Sequence, residues 1–148
     1  MFSLTTGANG FIGSHLTRFL VEQGEKIRVL VRPQSDLRSL EGLPAEFAYA
    51  DLREARSLPA SLRGVQRVYH VAADYRLWAK NPQEIYESNV TGTRNLLAAA
   101  RQAGIGRFIY TSSVGTLVPP PPPEIARRTN LLAAEGHDRA LQALEIPC

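Results

Sequence analysis

At 148 residues, 44% hydrophobic and 21% charged, the chain is long enough for one domain with its own core and sits far from disordered or fibrous compositions. Its net charge of +3 comes from 17 basic against 14 acidic residues, with no dense basic run beyond Arg127-Arg128, which argues against nucleic-acid binding. Cys148 is the only cysteine, no apolar stretch approaches the roughly 20 residues of a membrane span, and no charged-then-apolar leader opens the chain. A cytoplasmic protein without internal disulfide, membrane span or metal site is expected.

In chain order, Phe2–Thr6 reads as a short buried strand and Gly7–Gly10 as a turn. A helix is predicted from about Gly10, with Ile12, Leu16, Phe19 and Leu20 at helical spacing and Gly24 as its C-terminal stop. Ile27–Val31 is rich in β-branched residues and predicts a second strand, which Pro33 ends. A weak helix over Ser35–Leu40 leads to a third strand at Glu46–Ala50, closed by the polar corner Asp51-Leu52. Residues 54–63 are helical in pattern, and Val65–Ala72 supplies a fourth strand. The longest helix is predicted from Pro82, a good first-turn residue, to Ala103, with Gly104 as its stop. Arg107–Thr111 completes five strands.

Strands alternating with helices imply βαβ units and a parallel sheet. The expected fold class is therefore α/β, an incomplete Rossmann doubly wound sheet over residues 1–118. After Val118 the character changes: Pro119–Pro123 cannot continue a central strand or helix and favours polyproline II. Residues 124–145 have only loose helical spacing, so 119–148 is expected to be an aberrant tail.

Gly7-x-x-Gly10-x-x-Gly13 lies between the first strand and the first helix. Absent β-carbons there permit a tight turn and close approach of a pyrophosphate, and the helix N-terminus offers free N–H groups and a positive dipole end. An ordinary glycine-rich turn would share the spacing, but the strand before and helix after favour a dinucleotide.

The spacing, with Asn9, Phe11 and Ile12 inside it, resembles the extended short-chain dehydrogenases/reductases, the NAD-dependent epimerase/dehydratase group. So do Asp51-Leu52, His70-Val71-Ala72-Ala73, Asn89-Val90-x-Gly92-Thr93-x-Asn95-Leu96-Leu97 and Tyr110-Thr111-Ser112-Ser113. Together these cover about four fifths of the chain. Within that group, Val68–Ala79 is most similar to hopanoid-associated sugar epimerases, with dihydroflavonol reductases as wider relatives. The resemblance implies roles residue by residue. Gly7, Asn9, Gly10, Phe11, Ile12 and Gly13 would hold the pyrophosphate. Arg32, at the end of the second strand where an acidic residue would select NAD, favours NADP through charge-assisted bonds to a 2′-phosphate, with NAD as the other option. Asp51 and Leu52 would hold adenine, while Ala72 and Ala73 leave room for the nicotinamide-side ribose and phosphate. Asn89 would support a proton-relay water, and Ser113 would bond the substrate oxygen. His70 is read as a packed or hydrogen-bonded histidine rather than a catalytic one. Tyr75 and Trp78 either line a substrate site or anchor their loop.

The resemblance also implies a Tyr-x-x-x-Lys pair that handles the alcohol proton. None of the five tyrosines has Lys four residues on, and Lys occurs only at positions 26 and 80. Reading the gene one nucleotide later across Asp138–Ile146 permits Ile-Gly-Arg-Tyr-Lys-Arg-Ser-Lys-Phe, which restores the pair, so a lost reading frame after Val118 is one explanation of the tail. The functional expectation is a truncated, inactive sugar epimerase or reductase relative that binds a nicotinamide dinucleotide and, in complete form, a small-molecule sugar or carbinol. The alternative is a non-catalytic module that senses NADP. Oligomeric state and substrate identity are not readable.

Overall fold

The computed structural model describes residues 1–113 and Thr116, so the proline run and the loose helix over 124–145 lie outside the described residues. Met1–Thr111 forms one compact unit. Ser112, Ser113 and Thr116 belong to the next, in which the Ser113 carbonyl accepts from the N–H and the hydroxyl of Thr116 at 3.1 and 2.7 Å.

Within the first unit five strands pair in parallel: β1 (Phe2–Thr6), β2 (Lys26–Val31), β3 (Ala45–Tyr49), β4 (Arg67–His70) and β5 (Arg107–Tyr110). Their order is β3-β2-β1-β4-β5. The chain thus runs outward from β1 on one side, returns across the sheet and runs outward from β4 on the other, which is the expected Rossmann arrangement. The helices are α1 (Phe11–Glu22), α2 (Leu58–Ser61), α3 (Gln83–Tyr86) and α4 (Gly92–Gln102). A five-residue π-helical turn, Glu87–Thr91, joins α3 to α4 without a break.

Central strands covered on both faces need small or apolar side chains pointing both ways. In β1, Ser3, Leu4, Thr5 and Thr6 are all buried. Leu4, Leu30 and Val68 meet Leu58, Leu62, Leu96, Ala99 and Ala100 on one face, and Ile27, Val29 and Val31 meet Leu20 and Leu40 on the other. Both long helices end where expected. After α1, the N–H groups of Gly24 and Glu25 fold back onto Val21 and Leu20, and after α4 those of Gly104 and Ile105 fold back onto Arg101 and Ala100.

Three elements differ from the sequence pattern. The helix expected over 54–63 is a 3-10 turn at Ala55–Ser57 followed by the single turn of α2. It ends before Gly64, whose φ is +73°, and Arg28 on β2 donates to the Ser61 and Arg63 carbonyls, both at 2.8 Å, satisfying the helix end from the sheet. The weak helix over Ser35–Leu40 is only a 3-10 turn at Arg38–Leu40. The third is the π turn inside the long helix.

Leu96 is fully buried where α4 meets β1 and β4, whereas Phe47 on the edge strand is 39% exposed. Leu96→Ala should therefore cost about 3 kcal/mol and Phe47→Ala well under half of that. Chemical denaturation of the two variants checks the ranking, and equal losses would contradict the assigned core.

Candidate functional site

The sheet order reverses between β1 and β4, the position outside the strands' C-terminal ends where sheets of this kind bind ligands. Gly7 opens the β1 loop with φ +66°, and a β-carbon there would lie 2.6 Å from the Ala72 nitrogen. The turn closes through Gly10 N–H donating to the Gly7 carbonyl at 3.0 Å. Gly13 lies over the same carbonyl, 2.0 Å from where its own β-carbon would be. The glycines thus press the first turn of α1, the β1 loop and the β4 loop into backbone contact. Asn9 contributes its carbonyl, which accepts from the Ser39 hydroxyl at 3.0 Å and ties the loop to the turn after β2.

The first turn of α1 leaves the N–H groups of Phe11, Ile12 and Gly13 without intrahelical acceptors. No acidic side chain sits in that turn to neutralise its positive end, and no side chain caps it. The side chains of Phe11 and Ile12 point to solvent, at 81% and 61% exposure.

The strand ends carry charge in a repeated form. After β2, β3 and β4, respectively, Asp36, Asp51 and Asp74 each accept the backbone N–H of the residue two positions on, an arginine, and also grip its guanidinium; the shortest contact is 2.6 Å in all three. Each arginine holds its aspartate below the ordinary carboxylate range. The Arg32 guanidinium, at the end of β2, has no hydrogen bond or ion pair among the described residues, and its charge reaches both Asp51 and Asp74. Leu52 packs against α4, where a β-carbon on Gly92 would lie 2.9 Å from its own. Asn95 donates to the Leu52 and Arg53 carbonyls at 2.9 and 3.2 Å and holds this corner onto the helix.

His70 is buried, as read, and bonded on both ring nitrogens: Nδ1 lies 2.7 Å from the Thr6 hydroxyl and Nε2 2.9 Å from that of Thr93. Asn89 occupies the π turn. Its carboxamide accepts from the Asp74 N–H at 2.7 Å and donates to the Asp74 carbonyl at 2.8 Å, so it grips the loop that carries Ala72 and Ala73.

Gly7, Asn9, Gly10, Phe11, Ile12 and Gly13 therefore lie on the turn after β1 and the start of α1, against the loop after β4 that carries Ala72 and Ala73, with Arg32, Asp51 and Leu52 at the neighbouring strand ends and Asn89 bonded to the β4 loop. Ser113 falls in the following unit, and the site is described from residues up to Thr111. Sequence reasoning passed over Thr93, Asn95 and Asp74 as actors. Thr93 had a signal, since it stands four residues after Asn89 and hence on the same helical face.

The model of the NAD dependent epimerase/dehydratase family matches residues 3–140. The chain belongs to this family. Among curated relatives, sterol demethylase protein B of Methylococcus capsulatus is 46% identical over 79% of the chain and 36% of its own length. A putative dihydroflavonol 4-reductase of Synechocystis is 46% identical over 76% of the chain and 32% of its own. Among solved structures, gox2253 superposes with a TM-score of 0.76 at 47% identity, over 81% of the chain and 36% of its own. The Thermus thermophilus UDP-glucose 4-epimerase in complex with NAD gives 0.76 at 30% identity, over 88% and 44%. The chain thus spans about a third of the length of these curated relatives. Among the described residues, no helix is long and apolar enough to cross a membrane.

Burial pushes the His70 pKa down from 6.5 to about 4. Between those values the unfolded chain takes up a proton that the folded chain refuses, so stability falls as pH drops through that window, by about 3 kcal/mol at most. The depressed carboxylates of Asp51 and Asp74 act lower, since their contribution is lost only as pH falls below 3.8. The thermal midpoint should accordingly decline between pH 6.5 and 4.5, and His70→Gln should flatten that decline. An unchanged slope in the variant would refute the assignment.

Proposed function

We propose that the chain forms the dinucleotide-binding part of an NADP-preferring reductase or epimerase that acts at a carbinol carbon of a small molecule such as a sugar. What carries the reading is the uncapped, acid-free N-terminus of α1, with three N–H groups lacking intrahelical acceptors, together with the Arg32 guanidinium at the end of the adjacent strand, which has no hydrogen bond or ion pair among the described residues. Such a terminus suits a pyrophosphate, and a free guanidinium suits a 2′-phosphate. Membership of an NAD-dependent family and a neighbour solved with NAD support the dinucleotide.

When bound, the nicotinamide supplies a hydride donor or acceptor at its C4. The protein's share is binding and orientation. The turn from Gly7 to Gly13, with Asn9, Phe11 and Ile12, receives the pyrophosphate, and Arg32 pairs with the 2′-phosphate. Leu52 flanks the adenine and Asp51 accepts from its amine, which requires Arg53 to give up part of its grip. Ala72 and Ala73 leave space for the nicotinamide ribose. Asn89 supports a relay water and Ser113 bonds the substrate oxygen. The proton itself has no carrier in these 148 residues, because Tyr-x-x-x-Lys is absent, and they are expected to bind without turning over.

Trp78 is the sole tryptophan and stands 78% exposed on the β4 loop, so energy transfer to reduced cofactor reports binding. NADPH should bind more tightly than NADH. Arg32→Ala should weaken NADPH by about tenfold or more, the worth of one charge-assisted contact, and leave NADH nearly unchanged. Equal effects on both would remove the NADP preference, and no transfer with either would remove the reading itself.

The missing pair has its own test in the gene. Codons for Leu141 and Glu145 that give Tyr-x-x-x-Lys in the following frame are expected, with Gln142 setting only the residue after Tyr, and any others at those two positions would end the lost-frame account.

A further inference from the structure

The three histidine and threonine contacts around β4 fix where each proton lies. Thr93 has one hydroxyl proton, and its oxygen is 2.6 Å from the Asn89 carbonyl, which only accepts. That proton is therefore given to Asn89. The contact between Thr93 and His70 Nε2, 2.9 Å, must then run the other way, so Nε2 carries the imidazole proton. His70 is 1% exposed, with the rings of Phe108 and Tyr110 at 6.0 and 5.3 Å, and no charged group is bonded to it, so it is neutral and holds a single proton. Nδ1 is then bare and accepts from the Thr6 hydroxyl at 2.7 Å. The Thr6 oxygen in turn accepts the Ala72 N–H at 3.2 Å.

The chain of donors is thus unbroken and directional: Ala72 N–H to Thr6, Thr6 to His70, His70 to Thr93, Thr93 to the Asn89 carbonyl. Both of its ends act on one stretch of backbone. Through Thr6 it holds Ala72, against which the Gly7 turn is pressed, and through Asn89 it reaches the carboxamide that grips both backbone groups of Asp74. Ala73 lies between the two holds.

We infer that His70 is a positioning residue which, locked in its Nε2–H tautomer, couples the β1 turn to the π turn of the long helix and so sets the backbone of residues 72–74 for the dinucleotide. A histidine suits this position because a neutral imidazole donates on one side and accepts on the other across the width of a ring. The Thr93 hydroxyl reaches the carbonyl four residues back, as Thr17 does onto Gly13 in α1, and a carbonyl with two lone pairs can take it. The value for cofactor binding rests on the dinucleotide reading above, whereas the proton order and the coupling do not.

The full 148-residue chain, with Thr93→Val, Thr93→Ser and the unaltered protein compared at pH 7, separates these claims. Long-range proton–nitrogen NMR of the His70 ring should show Nε2–H in the unaltered protein and in Thr93→Ser, and a shift toward Nδ1–H in Thr93→Val. An Nδ1–H ring in the unaltered protein would overturn the inference at once, without any variant. Amide exchange at Asp74, measured without cofactor, should quicken about tenfold in Thr93→Val and return in Thr93→Ser. Unchanged exchange in Thr93→Val would overturn the coupling, because a side chain that merely packs would be replaced by the isosteric valine. NADPH affinity should follow the same order, weaker by about tenfold in Thr93→Val and restored by serine. Should the unaltered chain show the tautomer and the protected amide but bind no NADPH, the dinucleotide reading fails and the coupling stands. Should it bind NADPH equally in all three, the positioning role fails.

Discussion

Gly7 and Ala72 touch backbone to backbone. A β-carbon on Gly7 would fall 2.6 and 2.7 Å from the Ala72 nitrogen and α-carbon, distances no side chain survives, and the φ of +66° is one that L-residues rarely adopt. That contact decides how far apart the loops leaving β1 and β4 can stand. With Gly13 pressed on the Gly7 carbonyl from the other side, α1 starts at a fixed height over the sheet. Its free N–H groups then lie at the C-terminal edge of the sheet, where the strand order reverses. The rest of the rim, from Asn9 on Ser39 to Asn89 on Asp74, braces this one approach.

Electrostatics at the rim follow from a local device used three times. An aspartate that captures the N–H and guanidinium of the arginine two residues on is satisfied within its own turn. The pairs differ in setting: Asp36 is well exposed, while the side chains of Asp51 and Asp74 are 18% and 16% exposed. The exposed pair adds little to stability. The two sheltered ones have their carboxylates compensated within their own turns by Arg53 and Arg76. The Arg32 guanidinium, without a hydrogen bond or ion pair among the described residues, adds its positive charge to both of these turns.

The sheet, its order-reversing topology and the glycine turn were legible because they rest on short-range patterns: β-branched runs, glycine at fixed spacing, and helix stops at Gly24 and Gly104. What escaped depends on partners distant in sequence. The carbonyls at the end of α2 are satisfied by Arg28, more than thirty residues earlier. The π turn at Glu87–Thr91 leaves no trace in composition, because one inserted residue shifts the apolar spacing by less than the pattern's own scatter. Asn89 could be picked out by resemblance, but its grip on Asp74 could not, since nothing local predicts that a helix residue will bond both backbone groups of a loop fifteen residues back.

His70 illustrates the same limit from the opposite direction. A histidine at a strand end invites a catalytic reading, and burial alone would justify only the bland one. The geometry does more, because each neighbouring hydroxyl has one proton and each carbonyl has none, so the count of donors leaves a single arrangement. Protonating the ring would put a second N–H opposite Thr6, which would then have to stop donating to Nδ1 while it still accepts from Ala72. The network therefore opposes the charged ring in addition to the burial that lowers its pKa. A residue whose titration is suppressed from both sides is poorly suited to carry protons at neutral pH and well suited to hold two hydroxyls at a fixed distance, which is the work its position between β1 and α4 requires.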